Sequence, residues 1–575
     1  MRNLVKFLGR YKKQTIIGPI FKLIEAVFEL IIPVVMSKLI DIGINRGDIS
    51  YVVKMSLVMI GLAFFGLCSA LVCQYSASIA SQGFGTDLRN ALFEKIGTFS
   101  HAELDKFGSS SLTNRITNDV NQLQVGVAML IRLAIRAPFL IIGGIISVLL
   151  IDSTLALVPV AAMIIVSVIL YFTMTRSVRL YQGVQEKLDK VALGTSEALG
   201  GIRSVRAFDK TEDTETEFSE TASAHSKAFV VVSKLSAFSN PASTLVMNLA
   251  IIGIIFFGGM RVSAGNLTQG EIVAFINYMQ QILLALAVFA NLVIIFSKAL
   301  ASGKRVSEVL ATEPSVCDSE SPLALPDKFD IEFKNVSFSY GEVGEKVLSD
   351  ISFTAVHGET VGVLGLTGSG KSTLMGLISR FYDPTQGEIL INGRNIKEYP
   401  QSELRRKIGV VSQAPVLFSG TVASNLRYGN GDITDEDMVY AAEVSQSYDF
   451  IMQKEGGFDS EVSAKGKNFS GGQRQRLAIA RAVAMRPSVL ILDDASSALD
   501  YATEAALKKA IKERVDSTVF IVSQRVSSVF SADKIIVLDD GRISAAGTHD
   551  ELLSSSEIYR EIYSSQTSED GDDGE

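Results

Sequence analysis

The chain is poor in cysteine, in histidine and in clustered positive charge. Its 575 residues include three cysteines, Cys68, Cys73 and Cys317, too few for a disulfide framework. Histidines number four. The net charge is −8, and no basic stripe is available to neutralise phosphates. The composition therefore argues against a nucleic acid as the main partner.

Long apolar runs, by contrast, fill the first half of the chain. The mean hydropathy of +0.29 is high for a sequence with 20% charged residues. Apolar runs dominate up to about Leu300, and beyond Pro314 short β-rich segments alternate with helical ones. We therefore predict a membrane domain, a linker, a soluble α/β domain and a disordered acidic tail, over residues 1–312, 313–327, 328–563 and 564–575.

Six segments are long and apolar enough to cross a bilayer as helices, because a hydrocarbon core of about 30 Å needs about 20 mostly apolar residues. They are Thr15–Met36, Val53–Ala80, Val127–Ile151, Leu155–Thr175, Pro241–Val262 and Ile272–Ser297. The first follows a basic stretch, but it is too long and too charged for the apolar region of a signal peptide.

Positive charge predicts the orientation of these spans. Arginine and lysine precede the first span and fill the two long connections, whereas the turn between spans three and four has none. Both termini and both long connections should face the cytoplasm. These connections, Gly83–Gly126 and Arg176–Asn240, have apolar residues at helical spacing. We expect the spanning helices to continue through them and to turn near His101–Gly108 and Phe208–Thr214; two surface hairpins are the alternative.

Two pairs of charged residues lie well inside predicted spans. Glu25 and Glu29 are one turn apart on the first span, and Arg132 and Arg136 are one turn apart on the third. Charges in a bilayer are costly and usually face a bundle interior or a wet cavity. Two roles fit them: pairing with one another, or contact with a transported substrate.

A phosphate-binding loop begins the α/β part of the chain. Strand Thr360–Leu364 leads into the pattern G-x-x-x-x-G-K-S, and an apolar helix follows. Glycines let backbone N–H groups surround phosphates, and the helix N-terminus adds its positive end. We predict that Lys371 reaches the β- and γ-phosphates and that Ser372 binds Mg²⁺. The nucleotide-binding residues predicted here are Gly365, Thr367, Gly368, Ser369, Gly370, Lys371, Ser372 and Thr373.

Two aspartates follow another buried strand. Asp493 comes after Val489–Leu492 and is the natural second Mg²⁺ ligand, and Asp494 stands where a nucleotide hydrolase carries its general base. Upstream, Ser470 to Gln473 open a helix and form a second anion site. One fold cannot easily aim both helix N-termini at one γ-phosphate. The second site is therefore expected to serve a nucleotide held by a different subunit.

Three shorter motifs accompany these: FSY ends at Tyr340, VVSQ at Gln413 and SALD at Asp500. Together the motifs make residues 328–563 resemble the ATPase domain of ABC transporters. With six predicted spans ahead, nearly the whole chain resembles a half-transporter of the ABC exporter family. The fold expected is an all-α transmembrane bundle, six helices with long cytoplasmic extensions, followed by an α/β P-loop ABC ATPase domain.

The resemblance implies two chains that hold two ATP molecules and Mg²⁺ between their ATPase domains. Tyr340 would stack on adenine, Gln413 would sense Mg²⁺ and the membrane domain, and Asp500 would join the nucleotide-binding residues. The signature motif would contact the ATP bound by the other chain; its residues are Ser470, Gly471, Gly472 and Gln473. The turns near Lys106 and Phe208 would be coupling helices that dock on ATPase domains.

Two positions depart from the pattern of efficient hydrolases in this family. Asp494 replaces a glutamate at the base position, and Gln524 replaces a histidine at the switch position. The nearest histidine, His549, lies beyond another strand. The signature itself is whole, although Phe469 replaces the usual leucine and Ala464 stands where a glutamate is often found. The sequence therefore resembles the degenerate-site subunit of a heterodimeric bacterial multidrug exporter.

The function expected is ATP-driven export of amphipathic or drug-like small molecules, with this chain completing the hydrolytic site of a partner that carries the glutamate and the histidine. Two alternatives are a homodimeric lipid or drug flippase with slow turnover, and a channel or ATP sensor on the ABC scaffold. The other partners expected are membrane lipid and a small amphipathic substrate, without nucleic acid. A prokaryotic plasma (inner) membrane is the expected location, with the ATPase domain in the cytoplasm.

Overall fold

The chain folds as two compact units in the computed structural model, which describes residues 2–341 and 344–569. The first unit contains residues 1–97 and 110–312, and the second contains residues 98–109 and 313–575. Residues 98–109 lie inside the predicted membrane domain of 1–312, yet they fold with the second unit. The units are therefore not two simple consecutive stretches of sequence.

The described part of the first unit is helical throughout. Its helices are α1 Arg2–Leu8, α2 Lys12–Lys38, α3 Ile49–Gly97, α5 Ser109–Asn114, α6 Val120–Arg132, α7 Arg136–Ile151, α8 Leu157–Gly200, α9 Ile202–Ala207, α10 Thr211–Ser263 and α11 Gln269–Ala311, with α4 belonging to the second unit. π-Helical turns lie at Leu39–Ile44 and Arg115–Asp119. A helical membrane domain is confirmed.

Five helical segments are long and apolar enough to cross a membrane among the residues that the structure describes. They are Ile49–Gly97, Ser109–Ile151, Leu157–Gly200, Thr211–Ser263 and Gln269–Ala311. Helix α2 has 27 residues but is not among the five. It includes charged residues, Lys22, Glu25 and Glu29, that lower its apolar character. The first predicted span therefore stays a prediction.

Long helices continue from the predicted spans into both long connections. Helix α3 has 49 residues, α8 has 44 and α10 has 53, well beyond the roughly 20 that a bilayer core requires. The alternative of separate surface hairpins is therefore wrong. The chain turns at residues 98–108 and 201–210, close to the two predicted turns.

Of Glu25, Glu29, Arg132 and Arg136, two pair with each other. An Arg136 Nη2–Glu29 Oε1 distance of 2.6 Å joins α7 to α2. Glu25 instead pairs with Lys22 on its own helix, at 2.7 Å, a partner that the sequence-based prediction did not include. Arg132 forms no ion pair within residues 2–341 and 344–569. Pairing is thus observed for Glu29 and Arg136.

The second unit contains three sheets. Its strands are β1 Ile331–Ser339, β2 Lys346–Ala355, β3 Thr360–Leu364, β4 Gln386–Ile391, β5 Arg394–Asn395, β6 Ile408–Val411, β7 Gly420–Thr421, β8 Glu461–Val462, β9 Val489–Asp493, β10 Thr518–Ser523, β11 Lys534–Asp539 and β12 Arg542–Gly547. An antiparallel sheet has the order β2-β1-β4-β5, a six-stranded sheet has the order β12-β11-β3-β10-β9-β6, and β7 pairs with β8. Strand β12 is antiparallel to β11, whereas the other pairings of the six-stranded sheet are parallel.

Helices surround these sheets, as expected for a parallel sheet buried on both faces. They are α4 His101–Phe107, α12 Lys371–Ile378, α13 Gln401–Lys407, α14 Val422–Leu426, α15 Asp435–Val444, α16 Tyr448–Met452, α17 Gly471–Ala484, α18 Tyr501–Arg514, α19 Val526–Val529, α20 His549–Ser555 and α21 Glu557–Glu569. The neighbours β3, β10 and β9 lie centrally, so the loops at their carboxyl ends meet at one edge of the sheet. An α/β domain after the membrane helices is confirmed.

Helix α21 extends into the predicted tail. The prediction of disorder for 564–575 is wrong for residues 564–569, which continue the helix, and residues 570–575 lie outside the described residues. Gln566 holds this part in place, since its Nε2 donates to Gln524 O and its Oε1 accepts from Val526 N–H, both at 2.8 Å. Net acidity of the segment did not reveal these two hydrogen bonds.

Candidate nucleotide-binding site

The loop between β3 and α12 requires glycine where it enters the helix. Gly370 has φ +98°, in the left-handed region, and Gly368 has φ +85°. A Cβ on Gly370 would lie 2.6 Å from Leu348 Cδ2. Both conformation and space therefore exclude larger residues at Gly370. This geometry brings the loop backbone to the N-terminus of α12, where N–H groups are available to an anion.

Lys371 and Ser372 begin α12 and connect it to the neighbouring segments. Lys371 Nζ donates to Gly365 O at 2.8 Å and to Leu366 O at 2.7 Å. Ser372 Oγ donates to Asp493 Oδ2 at 3.0 Å, which links α12 to the end of β9. The ammonium, the hydroxyl and the carboxylate that the sequence assigned to phosphate and Mg²⁺ are therefore adjacent.

Burial shifts the pKa values of both Lys371 and Asp493. It lowers the pKa of Lys371, with the negative charges of Asp493 and Asp494 opposing the shift. Burial also raises the pKa of Asp493, opposed by the hydrogen bond from Ser372 and reinforced by the charge of Asp494. Each charged group has lost part of its hydration, and its neighbours do not fully offset that loss. A phosphate beside Lys371 and a divalent cation beside Asp493 would provide the missing opposite charge.

A cleft of about 280 Å³ gathers the predicted residues from separate segments. Its lining is formed by Val347, Thr367, Gly368, Gly370, Lys371, Ser372, Thr373, Gln413, Asp493, Asp494, Val522, Ser523 and Gln524. Three of these, Val347, Val522 and Ser523, were not identified from the sequence. Ser523 could have been predicted from its position directly before Gln524, whereas nothing in the sequence around Val347 on β2 indicates that it lines the cleft.

The two substituted positions both face this cleft. Asp494 adopts φ +48°, a left-handed conformation that aspartate tolerates better than most residues. Its Oδ2 accepts a hydrogen bond from Gln413 Nε2 at 3.1 Å. Gln524 follows β10, and its Oε1 accepts from Thr367 Oγ1 at 3.2 Å. The shortened carboxylate and the uncharged amide are thus held beside the phosphate loop.

The residues of the cleft fit ATP with Mg²⁺. The Ser372 hydroxyl, the Asp493 carboxylate and the Gln413 amide oxygen are ligands that Mg²⁺ prefers, together with phosphate oxygens and water. No group of three or more His, Cys, Asp or Glu side chains able to hold a metal occurs in the described chain. The hydroxyl of Ser369 is buried without a hydrogen-bond partner in the described structure.

Tyr340 presents an accessible ring near the start of α12. Its side chain is 46% exposed, and its hydroxyl lies 2.9 Å from Thr373 Oγ1. The rings of Phe338 and Tyr382 lie nearly perpendicular to it, with ring centroids 4.9 and 5.4 Å away. A half-exposed aromatic ring held by its neighbours suits stacking of a flat base.

The signature residues and Asp500 do not line the cleft. Ser470 caps α17 through its Oγ, which accepts from Gln473 N–H at 3.3 Å, while Gln473 Oε1 accepts from Ser470 N–H at 3.0 Å. Ser470 and Gly471 are exposed. Asp500 caps α18, accepting from Thr503 N–H at 3.2 Å. The N-terminus of α17 is therefore not part of this chain's own cleft.

A phosphate loop after a central parallel strand, an aspartate at the end of another strand of the same sheet, a separate capped Ser-Gly-Gly-Gln helix and a bundle of long apolar helices together define an ATP-dependent membrane transporter. Residues 15–286 match the family model described as ABC transporter transmembrane region, and residues 348–497 match the model described as ABC transporter. The chain belongs to the ABC transporter family.

Individual proteins agree with this assignment. The uncharacterized ABC transporter ATP-binding protein YfiB of Bacillus subtilis (strain 168) is 37% identical over 99% of both chains. The uncharacterized protein Rv1273c of Mycobacterium tuberculosis is 35% identical over 97% of this chain and 96% of its own. A bacterial Atm1-family ABC exporter solved with ATP bound aligns with a TM-score of 0.80, at 24% identity over 96% of this chain and 98% of that one. This last likeness confirms the exporter fold.

Proposed function

We propose that this chain is one half of a heterodimeric ABC exporter, and that its own nucleotide site binds ATP with Mg²⁺ but hydrolyses it poorly. The observation that carries the proposal is the content of one cleft. Lys371, Ser372 and Asp493 line this cleft, with Ser372 bonded to Asp493, while Asp494 and Gln524 occupy the base and switch positions. The residues expected to bind ATP and Mg²⁺ are all present, whereas the glutamate and the histidine expected for hydrolysis are replaced.

Binding depends on groups that already lie together. Lys371 would exchange its two carbonyl acceptors for the β- and γ-phosphates, a stronger, charge-assisted interaction. Ser372, Asp493 and Gln413 would hold Mg²⁺, which neutralises phosphate charge when bound. The exposed ring of Tyr340 would stack on adenine.

Hydrolysis needs a base that reaches the attacking water. The Asp494 side chain is one methylene shorter than glutamate, so its carboxylate reaches about 1.5 Å less far. A well-placed general base contributes about 10²–10⁴ in rate, or roughly 3–5 kcal/mol of barrier. In addition, Asp494 Oδ2 is engaged by Gln413. We infer that this carboxylate is a weak base for water beside the γ-phosphate.

The switch position weakens the site further. Gln524 offers an amide N–H donor, but unlike histidine it can never become cationic. Positive charge beside a γ-phosphate stabilises the negative charge that develops during transfer. The Gln524 Oε1 is occupied by Thr367 Oγ1. Both residues that would accelerate hydrolysis are thus replaced, whereas the residues that would bind ATP and Mg²⁺ are all present.

The intact signature supports a different partner chain. Ser470 and Gln473 cap α17 reciprocally, and the exposed helix start does not face this chain's own cleft. In a head-to-tail pair it would contact the partner's ATP, which the partner's glutamate and histidine would hydrolyse. The membrane domains of the pair would move amphipathic or drug-like molecules outward across a prokaryotic plasma membrane, with both ATPase domains cytoplasmic.

Purified alone, the chain should bind ATP–Mg²⁺ and turn it over only slowly. Lys371→Ala should weaken binding on the order of 100-fold, since it removes two charge-assisted hydrogen bonds. Equilibrium binding of a fluorescent ATP analogue and steady-state phosphate release measure the two properties. Lys467→Ala, at an exposed lysine of the same domain, is the matched control and should bind normally. Rapid steady turnover by the lone chain would contradict the proposal.

A further inference from the structure

One side chain of helix α21 holds the backbone on both sides of the switch position. Gln566 Nε2 donates to Gln524 O, and Gln566 Oε1 accepts from Val526 N–H, both at 2.8 Å. The two bonds bridge the ends of the switch segment, residues 524–526. Val526 is the first residue of α19, where a backbone N–H has no partner within its own helix. Gln566 therefore fixes the backbone from which the Gln524 side chain extends.

The Gln524 side chain extends toward the phosphate loop. Its Oε1 accepts from Thr367 Oγ1 at 3.2 Å, and the residue lines the cleft together with Lys371. Among the residues that the structure describes, none forms a hydrogen bond with Gln524 Nε2. One end of the amide is thus held by the loop, and the N–H groups of the other end are available to an anion in the cleft.

Helix α21 has apolar attachments besides Gln566. Tyr559 is buried in one apolar cluster with Val526, and Ile562 packs against that cluster. These contacts do not involve the Gln566 amide. Loss of that amide should therefore free the switch segment while most of α21 stays in place.

We propose that Gln566 is a positioning residue that holds the Gln524 amide for contact with a γ-phosphate, and that helix α21 thereby makes this site select ATP over ADP. The inference rests on the proposed function, because it requires ATP in this cleft. ADP has no γ-phosphate, so the contact distinguishes the two nucleotides. An amide that is already ordered loses less conformational freedom on binding than one on a mobile segment.

Selectivity by binding matters most at a site that hydrolyses poorly. Such a site does not remove its own ATP, so the nucleotide it holds is decided by the relative affinities of ATP and ADP. Lys371 would contact phosphates that both nucleotides share in part. A charge-assisted hydrogen bond from Gln524 to the γ-phosphate would favour ATP alone.

Equilibrium binding of ATP–Mg²⁺ and of ADP–Mg²⁺ to the full chain in lipid nanodiscs, measured by calorimetry, tests the proposal. The quantity compared is the ratio of the Kd for ADP to the Kd for ATP. Gln524→Ala removes the contact itself and should lower this ratio about tenfold, with the Kd for ADP unchanged.

Gln566→Met keeps the length of the side chain but loses both of its hydrogen bonds. It should lower the ratio by at least about threefold, again by weakening the binding of ATP alone. Adding Gln566→Met to Gln524→Ala should cause little further loss, because Gln566 acts through Gln524. A change of fold alone would not produce this pattern.

Arg560→Met is the matched control. Arg560 is exposed on the same helix, and its Nη1 donates to Leu553 O at 3.1 Å and to Ser554 O at 2.9 Å, both in α20. The change therefore also removes two side-chain hydrogen bonds of α21, but neither bond reaches the switch segment. Both Kd values should stay at those of the wild type.

The outcomes separate this inference from the proposed function. A wild-type ratio in Gln566→Met, or a ratio that Gln524→Ala leaves unchanged, overturns the inference while ATP binding stands. Equal weakening of ATP and ADP in Gln566→Met, or the same loss in Arg560→Met, would show a general loosening of the domain and also reject the role. Absence of ATP binding by the wild type overturns both.

Discussion

Ser470→Asp should abolish most ATP hydrolysis and transport by the assembled pair, with a loss on the order of 10²–10³-fold. Aspartate is as good an N-cap as serine, so α17 should keep its start. The new carboxylate would, however, face the γ-phosphate of the partner's ATP and repel it. The ATPase rate of the pair and the thermal unfolding of this chain separate the two effects.

Thr421→Asp is the control for this change. Thr421 caps α14 as Ser470 caps α17, with its side chain accepting from Ser424 N–H, and neither helix has an acidic residue in its first turn. It should leave hydrolysis near normal. Gly472→Asp should also inactivate the pair, but a Cβ there would lie 3.0 Å from Ala498 O, so its effect would combine repulsion with strain.

Asp494→Asn should lower the ATPase rate of the same pair by less than about threefold. A base that does not reach the attacking water supplies little of the usual rate enhancement of about 10²–10⁴. A homodimer with two equivalent sites of ordinary mechanism requires a different result. There, Ser470→Asp and Asp494→Asn should be similarly damaging. Equal losses would therefore reject the asymmetric arrangement.

Asp494→Glu combined with Gln524→His should raise hydrolysis at this chain's own site by roughly 10²-fold or more. Glutamate extends the carboxylate, and histidine restores a group that can carry positive charge. The backbone at Asp494, φ +48°, suits glutamate less well, at a cost of about 1–2 kcal/mol. That local strain is smaller than the roughly 3–5 kcal/mol of barrier at stake.

The measurement requires a complex whose partner site is disabled, so that any phosphate released comes from this chain. Single replacements should do less, since the two groups act on one transition state. Asp494→Gln with Gln524→His is the matched control, equal in length to glutamate but without its charge. No gain from the Glu–His pair, or an equal gain from the Gln–His control, would contradict the account.

The parts of the site that could be predicted are those fixed by contiguous sequence. The strand, the glycine loop and the helix that begins at Lys371 follow one another along the chain. Asp493 joins them because the parallel strands of one sheet end at the same edge. This rule requires only that strands and helices alternate along the chain, and that alternation is visible in the sequence.

Contacts between distant residues could not be predicted in this way. Asp105 and Tyr382 are 277 positions apart, and nothing in either local pattern indicates the other. Glu25, by contrast, pairs locally, with Lys22 three positions before it, rather than with an arginine of a later helix. Folding of residues 98–109 with the second unit depends on packing against Phe381, Tyr382 and Ser315 rather than on composition.

Purification of this chain from its native membrane, with identification of any chain that accompanies it, tests the central claim most directly. An affinity tag at the chromosomal copy and mass spectrometry of the intact complex would give its stoichiometry. We expect a 1:1 complex with a second half-transporter that has glutamate and histidine where this chain has Asp494 and Gln524. A complex of two copies of this chain that hydrolyses ATP steadily would contradict the account.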